Sequence, residues 1–283
     1  MIGSDFQIRP LDAPLGAEVI GFDARSVLTE SARAELVAAW HRHSLLLFRG
    51  QELTPEEQYR FASIFGEVQH KDRYAQIGWL FISNVSLPEG AYTGFGELLL
   101  HSDSAMDAEM ESGTMLYAIE VPPQGVGGDT LFSNSRLVYN TLPEGLRSKL
   151  HGLTIRHSRK HSEIEVTTEQ GIQKASGGAN DLRQADRPLV LRHPITGDAV
   201  LLVCRRYSTR ILEVSPEEST ALVQELLSYQ DRDDVVYRHS WLPGDVIIWD
   251  NIGLQHARTD FDSKYRRILR RITVGSFAAM DPA

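Results

Sequence analysis

Cysteine and long apolar runs are scarce in this sequence, and their scarcity excludes several classes of protein. Its 283 residues include a single cysteine, Cys204, so neither a disulfide framework nor a cysteine-rich zinc site can be built. The longest apolar runs, such as residues 44–48, have the length of a strand and are far too short to span a bilayer. Residues 1–11 lack a basic start followed by an apolar stretch, so no secretory signal is expected. The sequence therefore predicts a cytoplasmic protein that does not associate with membranes.

Positive charge is also in deficit. With 38 acidic and 29 basic residues the formal net charge is -9, the opposite of the balance typical of nucleic-acid-binding proteins, so no nucleic-acid partner is expected. Hydrophobic residues (42%) and charged residues (24%) occur in ordinary globular proportions, which argues against disorder. The length fits one domain of sandwich or barrel size that spans residues 1–283.

The local patterns favour a mainly β protein with flanking helices. Thr29, Thr54 and Ser215 each begin a stretch with helical spacing, and the last two open capping boxes that continue Pro-Glu-Glu. From residue 80 onward, short apolar runs between glycine and proline turns predict strands, which favours a sandwich or barrel over a parallel α/β sheet. The polar segment 163–187 is predicted to be a loop or a lid. The predicted strands are 80–83, 114–121, 130–133, 154–158, 189–193, 199–203, 235–241, 246–250 and 267–274.

Three residues in two distant motifs can form a metal site. His101 and Asp103 are two residues apart, so on an extended segment both side chains would point to one side. By itself such a triplet indicates no more than a surface histidine beside an acidic turn. A second histidine, His256, follows the apolar strand 246–249 and a turn, where a polar residue is also common. Two histidines and one aspartate together can occupy one face of an octahedral metal, as in the facial triad of non-haem Fe(II) oxygenases.

The last predicted strand carries several arginines. Its period of two puts Arg267, Leu269 and Arg271 on one face. Two guanidinium groups that face a sheet interior are unfavourable unless an anion meets them, and a carboxylate is the natural partner. A basic edge strand that discourages aggregation is the alternative. Arg266 and Arg270, on the other face, are expected to be solvated charges.

Taken together, these and further motifs identify a resemblance. The sequence resembles the taurine dioxygenase / 2,4-dichlorophenoxyacetate dioxygenase family of Fe(II)- and 2-oxoglutarate-dependent oxygenases over nearly its whole length. Each motif is short, but their order and spacing make the joint match specific. The motifs are Leu15-Gly16-Ala17-Glu18-Val19-Ile20-Gly21, Leu47-Phe48-Arg49-Gly50-Gln51, Phe65-Gly66-Glu67, His101-Ser102-Asp103, Gly127-Gly128-Asp129-Thr130, His193-Pro194-Ile195-Thr196-Gly197, Gly244-Asp245, Trp249-Asp250-Asn251 with Gln255-His256, and Arg266-Arg267.

The resemblance implies a double-stranded β-helix (jelly roll) core and assigns roles to individual residues. Residues that match His101, Asp103 and His256 hold the metal in this family. Arg267 matches the arginine that grips the distal carboxylate of 2-oxoglutarate. Thr130 matches the hydroxyl that forms a hydrogen bond with the same carboxylate.

The resemblance implies the substrate-binding residues less directly. Arg271 and His70 match positions that hold the sulfonate in enzymes acting on taurine. Glu97 stands where taurine enzymes carry an amide side chain, so taurine itself is not the expected substrate. Its carboxylate either faces an amine or hydroxyl of an amino-acid-like substrate or lies in solvent.

The resemblance also implies the reaction. The cofactor is Fe(II), and 2-oxoglutarate and O2 are the cosubstrates. Oxidative decarboxylation of 2-oxoglutarate to succinate and CO2 is coupled to oxidation, usually hydroxylation, of an unactivated C–H bond in a small anionic or amino-acid-like molecule. Desaturation and ring closure stay open, and a homodimer or homotetramer is compatible with the resemblance.

Two other functions stay open on the sequence alone. One is a cupin-like metalloenzyme that does not use 2-oxoglutarate, and the other is a non-catalytic binding protein on the same fold. Against the first, Arg267 and Thr130 have no role unless a dicarboxylate binds. Against the second, all three expected metal ligands are present.

Overall fold

The computed structural model describes residues 6–70, 78–87, 91–94, 96–158, 167–168, 171–172, 183–278 and 280–283. The helices are α1 (Glu30–His43), α2 (Pro55–Ala62), α3 (Ser135–Thr141), α4 (Glu144–Arg147) and α5 (Pro216–Gln230), with one turn of 3-10 helix at Ser148–Leu150. The strands are β1 (Gln7–Pro10), β2 (Ala17–Ile20), β3 (Leu45–Phe48), β4 (Leu80–Ser83), β5 (Ala91–Thr93), β6 (Leu98–His101), β7 (Met110–Glu120), β8 (Thr130–Asn134), β9 (Thr154–Ser158), β10 (Thr167–Thr168), β11 (Gly171–Ile172), β12 (Gln184–Pro188), β13 (Val190–Arg192), β14 (Ala199–Leu201), β15 (Ser208–Ile211), β16 (Val236–His239), β17 (Val246–Asp250), β18 (Leu254–Arg258) and β19 (Ile268–Phe277).

Two largely antiparallel sheets pack against each other around a shared core. The larger sheet has the order β1-β2-β3-β17-β7-β19-β4-β5, and the smaller one has the order β16-β8-β18-β6. Leu47, Ile247 and Leu269 of the larger sheet form one apolar cluster with Phe132 and Leu254 of the smaller sheet. The predicted fold class, a mainly β jelly roll with flanking helices, is confirmed.

Strand β17 shows how the larger sheet serves two cores at once. Ile247 and Trp249 pack between the sheets, whereas Val246 and Ile248 pack in the cluster that also holds residues of α1 and α2. Alternate residues of a strand point to opposite faces, so both faces of β17 are covered and all of its residues are buried. This arrangement explains the unbroken apolar run in its sequence.

The predicted helix starts are confirmed. Thr29 caps α1 through a hydrogen bond from the backbone of Ala32, and Thr54 and Ser215 form complete capping boxes at α2 and α5. Among the helices of the described residues, none is both long and apolar enough to cross a membrane.

Some strand predictions were wrong or incomplete. Strands β6 and β18 were missed, although they carry the two histidines of the expected metal site. In the predicted loop or lid at 163–187, residues 163–166, 169–170 and 173–182 lie outside the described residues. Strand β12 pairs with β9, so the loop prediction was wrong for residues 184–187.

Candidate active site

The two histidines of the expected metal site meet because β6 and β18 are antiparallel neighbours. His101 lies directly opposite His256 in their register. Side chains of cross-strand partners stand on the same face of a sheet, about 5 Å apart at Cβ. The two imidazole rings accordingly lie 4.2 Å apart between centroids.

Asp103 completes the cluster from the turn that follows β6. Its Oδ1 lies 3.6 Å from Nε2 of His101, and its Oδ2 lies 3.8 Å from Nε2 of His256. One candidate ligand atom from each of the three residues lies within 4.8 Å of the other two. The expected extended segment was wrong, since β6 ends at His101 and residues 103–106 form a turn. The turn, and not strand alternation, brings the carboxylate to the imidazoles.

Asn251 fixes the backbone on both sides of this turn. Its side-chain carbonyl accepts the Asp103 N–H at 2.8 Å. Its amide nitrogen donates to the carbonyl of Asp103 at 3.0 Å and to the carbonyl of Glu111 at 2.9 Å. Because Asn251 is fully buried and all three partners are backbone groups, it sets where the Asp103 carboxylate can lie.

Asp250, the neighbour of Asn251, stabilises the turn between β17 and β18. Its Oδ1 accepts hydrogen bonds from the backbone N–H groups of Ile252 and Gly253, each at 3.0 Å. Burial alone would raise the pKa of Asp250, but His193 and Arg136 beside it lower that pKa to about 2. The ionised carboxylate therefore fixes the turn that leads into the strand of His256.

The electrostatics of the three side chains suit a divalent metal. Burial lowers the pKa of His101. Burial is also the main reason that the pKa of His256 is lowered to about 3. Both rings are therefore neutral at pH 7. Burial alone would raise the pKa of Asp103, but the charge of Arg271, the largest opposing cause, holds that pKa well below its ordinary value. Two neutral imidazoles and one carboxylate form the donor set of the Fe(II) facial triad, so the residues fit Fe(II).

Arg271 lies against this cluster, as the alternation of the last strand predicted. One of its terminal nitrogens lies 3.2 Å from Oδ2 of Asp103 and 2.8 Å from Oε2 of Glu111. The guanidinium therefore faces two carboxylates at once. Sequence reasoning assigned no role to Glu111, and nothing in its surrounding sequence marks it.

Arg267 and Thr130 form a second polar group on the inner face of the sheets. Thr130 and Phe132 share one face of β8, and Phe132 lies directly opposite His256. Arg267 donates from Nε to the carbonyl of Gly128 at 2.9 Å and from a terminal nitrogen to the hydroxyl of Thr130 at 3.4 Å. The structure thus brings the two expected 2-oxoglutarate residues together on the face that carries His256.

The environment of Arg267 suits a dicarboxylate. Only 3% of the residue is exposed, and among the described residues no carboxylate pairs with its guanidinium. Burial, helped by the charge of Arg258, lowers the pKa of Arg267 to about 9. The more distant charge of Asp129 acts against this lowering. A buried cation without a directly paired counter-ion is unfavourable, and a carboxylate able to accept two hydrogen bonds would compensate it.

The expectation for Arg270 was wrong. It is not a solvated charge, because only 4% of it is exposed. It donates to Oε1 of Gln58 at 2.6 Å and to the carbonyl of Leu53 at 2.7 Å. Helix α2 covers this face of β19, which strand alternation cannot reveal. Arg266 is exposed as expected and pairs with Glu120 at 2.8 Å.

The other two expected substrate residues lie at the edges of what the structure describes. His70 is exposed and packs near Tyr59 of α2, with 6.2 Å between the ring centroids. Glu97 is half-buried and directly precedes β6. Their contact with a substrate stays a prediction.

Comparisons with known proteins agree with this arrangement. A family model described as taurine catabolism dioxygenase TauD, TfdA family, matches residues 7–273. An (S)-phenoxypropionate/alpha-ketoglutarate-dioxygenase from Sphingobium herbicidovorans is 33% identical, with 98% of each chain covered. An alpha-ketoglutarate-dependent 2,4-dichlorophenoxyacetate dioxygenase from Cupriavidus pinatubonensis is 31% identical, covering 93% of this chain and 96% of the relative. The crystal structure of AAD-2 in complex with Mn(II) and N-oxalylglycine has a TM-score of 0.79 at 26% identity, covering 96% of this chain and 98% of that one.

The family match includes every residue of the cluster and both residues of the second polar group. Alpha-ketoglutarate is another name for 2-oxoglutarate, so the names of the relatives agree with the cosubstrate that the buried Arg267 suits. The resemblance found in the sequence is confirmed, and with it Fe(II) as the cofactor and 2-oxoglutarate and O2 as cosubstrates. On sequence, fold and site chemistry alike, the chain belongs to the TauD/TfdA family of Fe(II)- and 2-oxoglutarate-dependent dioxygenases.

Proposed function

We propose that this dioxygenase hydroxylates an unactivated C–H bond of a small organic anion or amino-acid-like molecule, coupled to decarboxylation of 2-oxoglutarate to succinate and CO2. In this proposal His101, Asp103 and His256 hold Fe(II), and Thr130 and Arg267 bind the distal carboxylate of 2-oxoglutarate. The observation that carries it is the convergence of the three ligand-type side chains within 4.8 Å of one another.

The chain's own residues prepare the site before any ligand arrives. Bound Fe(II) supplies the redox chemistry by which O2 and 2-oxoglutarate are consumed. The Nδ1–H of His101 donates to the carbonyl of Leu99 at 2.8 Å, so Nε2, which lies 3.6 Å from Oδ1 of Asp103, carries the lone pair that can bind a metal. A carbonyl can only accept, so this hydrogen bond selects the tautomer that can bind a metal.

Apolar side chains exclude water around the ligand-type residues. Phe132, Trp249 and Leu269 are all at most 1% exposed, and the ring of Trp249 lies 4.8 Å from that of His256. A dry wall on this side strengthens the charge interactions inside the site and protects reactive species from side reactions.

A cation whose charge is not already balanced by a carboxylate attracts an anionic substrate more strongly than one that is paired. Arg271 faces the carboxylates of Asp103 and Glu111. Arg206 differs, because its guanidinium lies 5.2 Å from the ring of Tyr207 and, among the described residues, no carboxylate pairs with it. The ring of Tyr207 in turn packs edge-on against that of His101 at 5.6 Å.

Two further observations place Arg206 near the cluster. Its backbone N–H donates to the carbonyl of Leu100, the residue before His101, at 3.2 Å. After burial, its positive charge is among the causes that lower the pKa of both His101 and His256. We therefore propose Arg206 as a further anchor for the substrate anion, beside the expected Arg271, His70 and Glu97.

The names of the relatives support an anionic substrate. Phenoxypropionate and 2,4-dichlorophenoxyacetate are both carboxylates. We further propose that the enzyme acts in the cytoplasm on a small molecule and not on nucleic acid, in keeping with its net charge of -9. A homodimer or homotetramer is proposed as its assembly.

A panel of small anions and one α-amino acid tests this function. We expect purified enzyme with Fe(II), 2-oxoglutarate and O2 to form succinate and an oxidised product from at least one of 2-phenoxypropionate, 2,4-dichlorophenoxyacetate, an alkyl sulfate and an α-amino acid. In an anaerobic titration of the Fe(II)- and 2-oxoglutarate-loaded enzyme, the same compound should perturb the metal-to-ligand charge-transfer absorption band. Turnover only of compounds that carry no anionic group would contradict the anionic assignment.

Replacing Arg206 by glutamine should weaken the binding of the anionic probe. A hydrogen bond to a charged group contributes about 1.5–3 kcal/mol, so the dissociation constant should rise by about tenfold to a hundredfold. The anionic probe is 2-phenoxypropionate, and titration of the anaerobic, 2-oxoglutarate-loaded enzyme with it measures this dissociation constant. The dissociation constant of 2-oxoglutarate should stay unchanged.

Arg205→Gln is the matched control. Arg205 is the neighbouring arginine in the chain, but its guanidinium pairs with Asp231. The Arg205→Gln variant should therefore bind the probe with the same dissociation constant as the unaltered enzyme. Equal dissociation constants for the two variants, or an equal loss for the neutral amide of the probe, would contradict the role of Arg206.

A further inference from the structure

The hydroxyl of Thr130 has an unusual set of partners. The indole N–H of Trp241 donates to its oxygen at 2.9 Å, and Arg267 donates to the same oxygen at 3.4 Å. Indole and guanidinium nitrogens can only donate, so both lone pairs of the hydroxyl oxygen are engaged. Its own hydrogen must then be donated elsewhere. Within the part of the chain that the structure describes, no acceptor takes it.

The indole that imposes this arrangement is itself rigidly held. Trp241 is buried and packs edge-on against the ring of His239, with 4.5 Å between centroids. His239 is fixed on both sides, since its Nε2 lies 3.1 Å from Oδ2 of Asp245 and its Nδ1 lies 2.9 Å from the hydroxyl of Tyr237. The donor to Thr130 therefore cannot turn away without disturbing a buried network.

Strand register explains how Trp241 reaches Thr130. His239 is the direct cross-strand partner of Thr130 in the pairing of β16 with β8. Trp241 follows two residues later, just beyond the end of β16, and its side chain returns over the partner position. The smaller sheet thus brings Trp241 and Thr130 together, although they are far apart in the sequence.

We infer that Trp241 is a positioning residue for 2-oxoglutarate: its indole N–H turns the hydroxyl hydrogen of Thr130 toward the distal carboxylate that Arg267 pairs with. This inference rests on the proposed binding of that carboxylate by Thr130 and Arg267. Without the indole donor, the hydroxyl can rotate and spend part of its time with its hydrogen away from the carboxylate. Binding of 2-oxoglutarate then carries the entropic cost of fixing the hydroxyl of Thr130 in one orientation.

Replacing Trp241 by phenylalanine tests the inference, because it removes the N–H and keeps an aromatic ring. We expect the dissociation constant of 2-oxoglutarate for the Mn(II)-loaded protein, measured by calorimetry, to rise about threefold to tenfold. In turnover, KM for 2-oxoglutarate should rise by a similar factor while kcat at saturation stays within about twofold. The Mn(II) affinity itself should not change.

A double-mutant cycle separates this role from a general effect on the fold. Thr130→Val should itself weaken 2-oxoglutarate binding, and in its background Trp241→Phe should add less than about a twofold further loss. Thr130→Ser, which keeps the hydroxyl, should bind 2-oxoglutarate nearly like the unaltered protein. The cosubstrate analogue 2-oxopentanoate, which lacks the distal carboxylate, should bind equally to the Trp241→Phe variant and the unaltered protein.

Trp40→Phe is the matched control for losing a buried indole. Its N–H is also buried and has no hydrogen-bond partner among the described residues, and it lies in the cluster on the helix-covered side of the larger sheet. This variant should bind 2-oxoglutarate unchanged. If Thr130→Val weakens binding and Trp241→Phe does not, or if the two losses simply add, the inference is overturned. If Thr130→Val also has no effect, the proposed binding of 2-oxoglutarate by Thr130 fails instead.

Discussion

Asparagine in place of Asp103 is expected to reduce turnover by about a thousandfold and to weaken Fe(II) binding strongly. The substitution keeps the shape of the side chain and removes its charge. The pKa values of His101 and His256 are lowered, so both rings are neutral and the carboxylate is the one anionic ligand of the three. Losing a charged ligand is expected to remove about 4 kcal/mol of transition-state stabilisation, which corresponds to about a thousandfold in rate. Anaerobic Fe(II) titration and succinate formation measure the two effects.

The same variant should still fold. The backbone of residue 103 keeps its hydrogen bonds with Asn251, and Arg271 keeps Glu111 as a partner at 2.8 Å. Asp107→Asn is the control, since Asp107 follows in the same connection and pairs with Arg183 at 2.9 Å. Normal Fe(II) affinity in Asp103→Asn, or an equal loss in Asp107→Asn, would contradict the metal assignment.

The sequence identified the ligand-type residues without showing how they meet. His101, Asp103 and His256 stood out because residue types and motif order match a known chemistry. Their meeting depends on a register that pairs β6 with β18, and neither strand was predicted. Both are short, and pairing between strands far apart in the chain leaves no local pattern.

Arg270 shows a second limit of sequence reasoning. Strand alternation correctly separated it from Arg267 and Arg271, but alternation says only that two faces differ. It does not say what covers each face. Helix α2 and Gln58 cover the face of Arg270, so a charge expected in solvent is buried and hydrogen-bonded.

Residues that orient others are the hardest to predict. Asn251 lies inside a motif noted in the sequence, yet its role depends on backbone groups of Asp103 and Glu111 that are distant in the chain. Trp241 is likewise an ordinary apolar residue at a strand end until Thr130 is seen beside it. The composition of a segment carries no signal for such contacts, because the partners belong to other strands.

Glutamine in place of Arg267 should abolish most of the affinity for 2-oxoglutarate and leave the metal site intact. Truncating one partner of a buried charge pair removes about 2–5 kcal/mol, so the dissociation constant should rise by about thirtyfold to several thousandfold. The guanidinium is buried without a carboxylate partner among the described residues, and glutamine can still donate to the carbonyl of Gly128. The ligand-free protein should therefore lose little stability. Calorimetry with the Mn(II)-loaded protein measures the affinity.

Thermal unfolding gives an independent measure of the same loss. A ligand that binds only the folded state stabilises it by an amount that grows with the logarithm of ligand concentration over Kd. At a 2-oxoglutarate concentration that saturates the unaltered protein, the Tm of that protein should therefore rise, and the Tm of Arg267→Gln should rise much less. Arg266→Gln is the control one residue away, where the guanidinium is exposed and pairs with Glu120. It should keep the full shift. Asp103→Asn should weaken binding of the metal, whereas Arg267→Gln should weaken binding of 2-oxoglutarate only. The affinity for Mn(II) should therefore fall in the first variant and stay unchanged in the second. A normal 2-oxoglutarate-induced shift in Arg267→Gln would show that the buried guanidinium does not pair with the distal carboxylate.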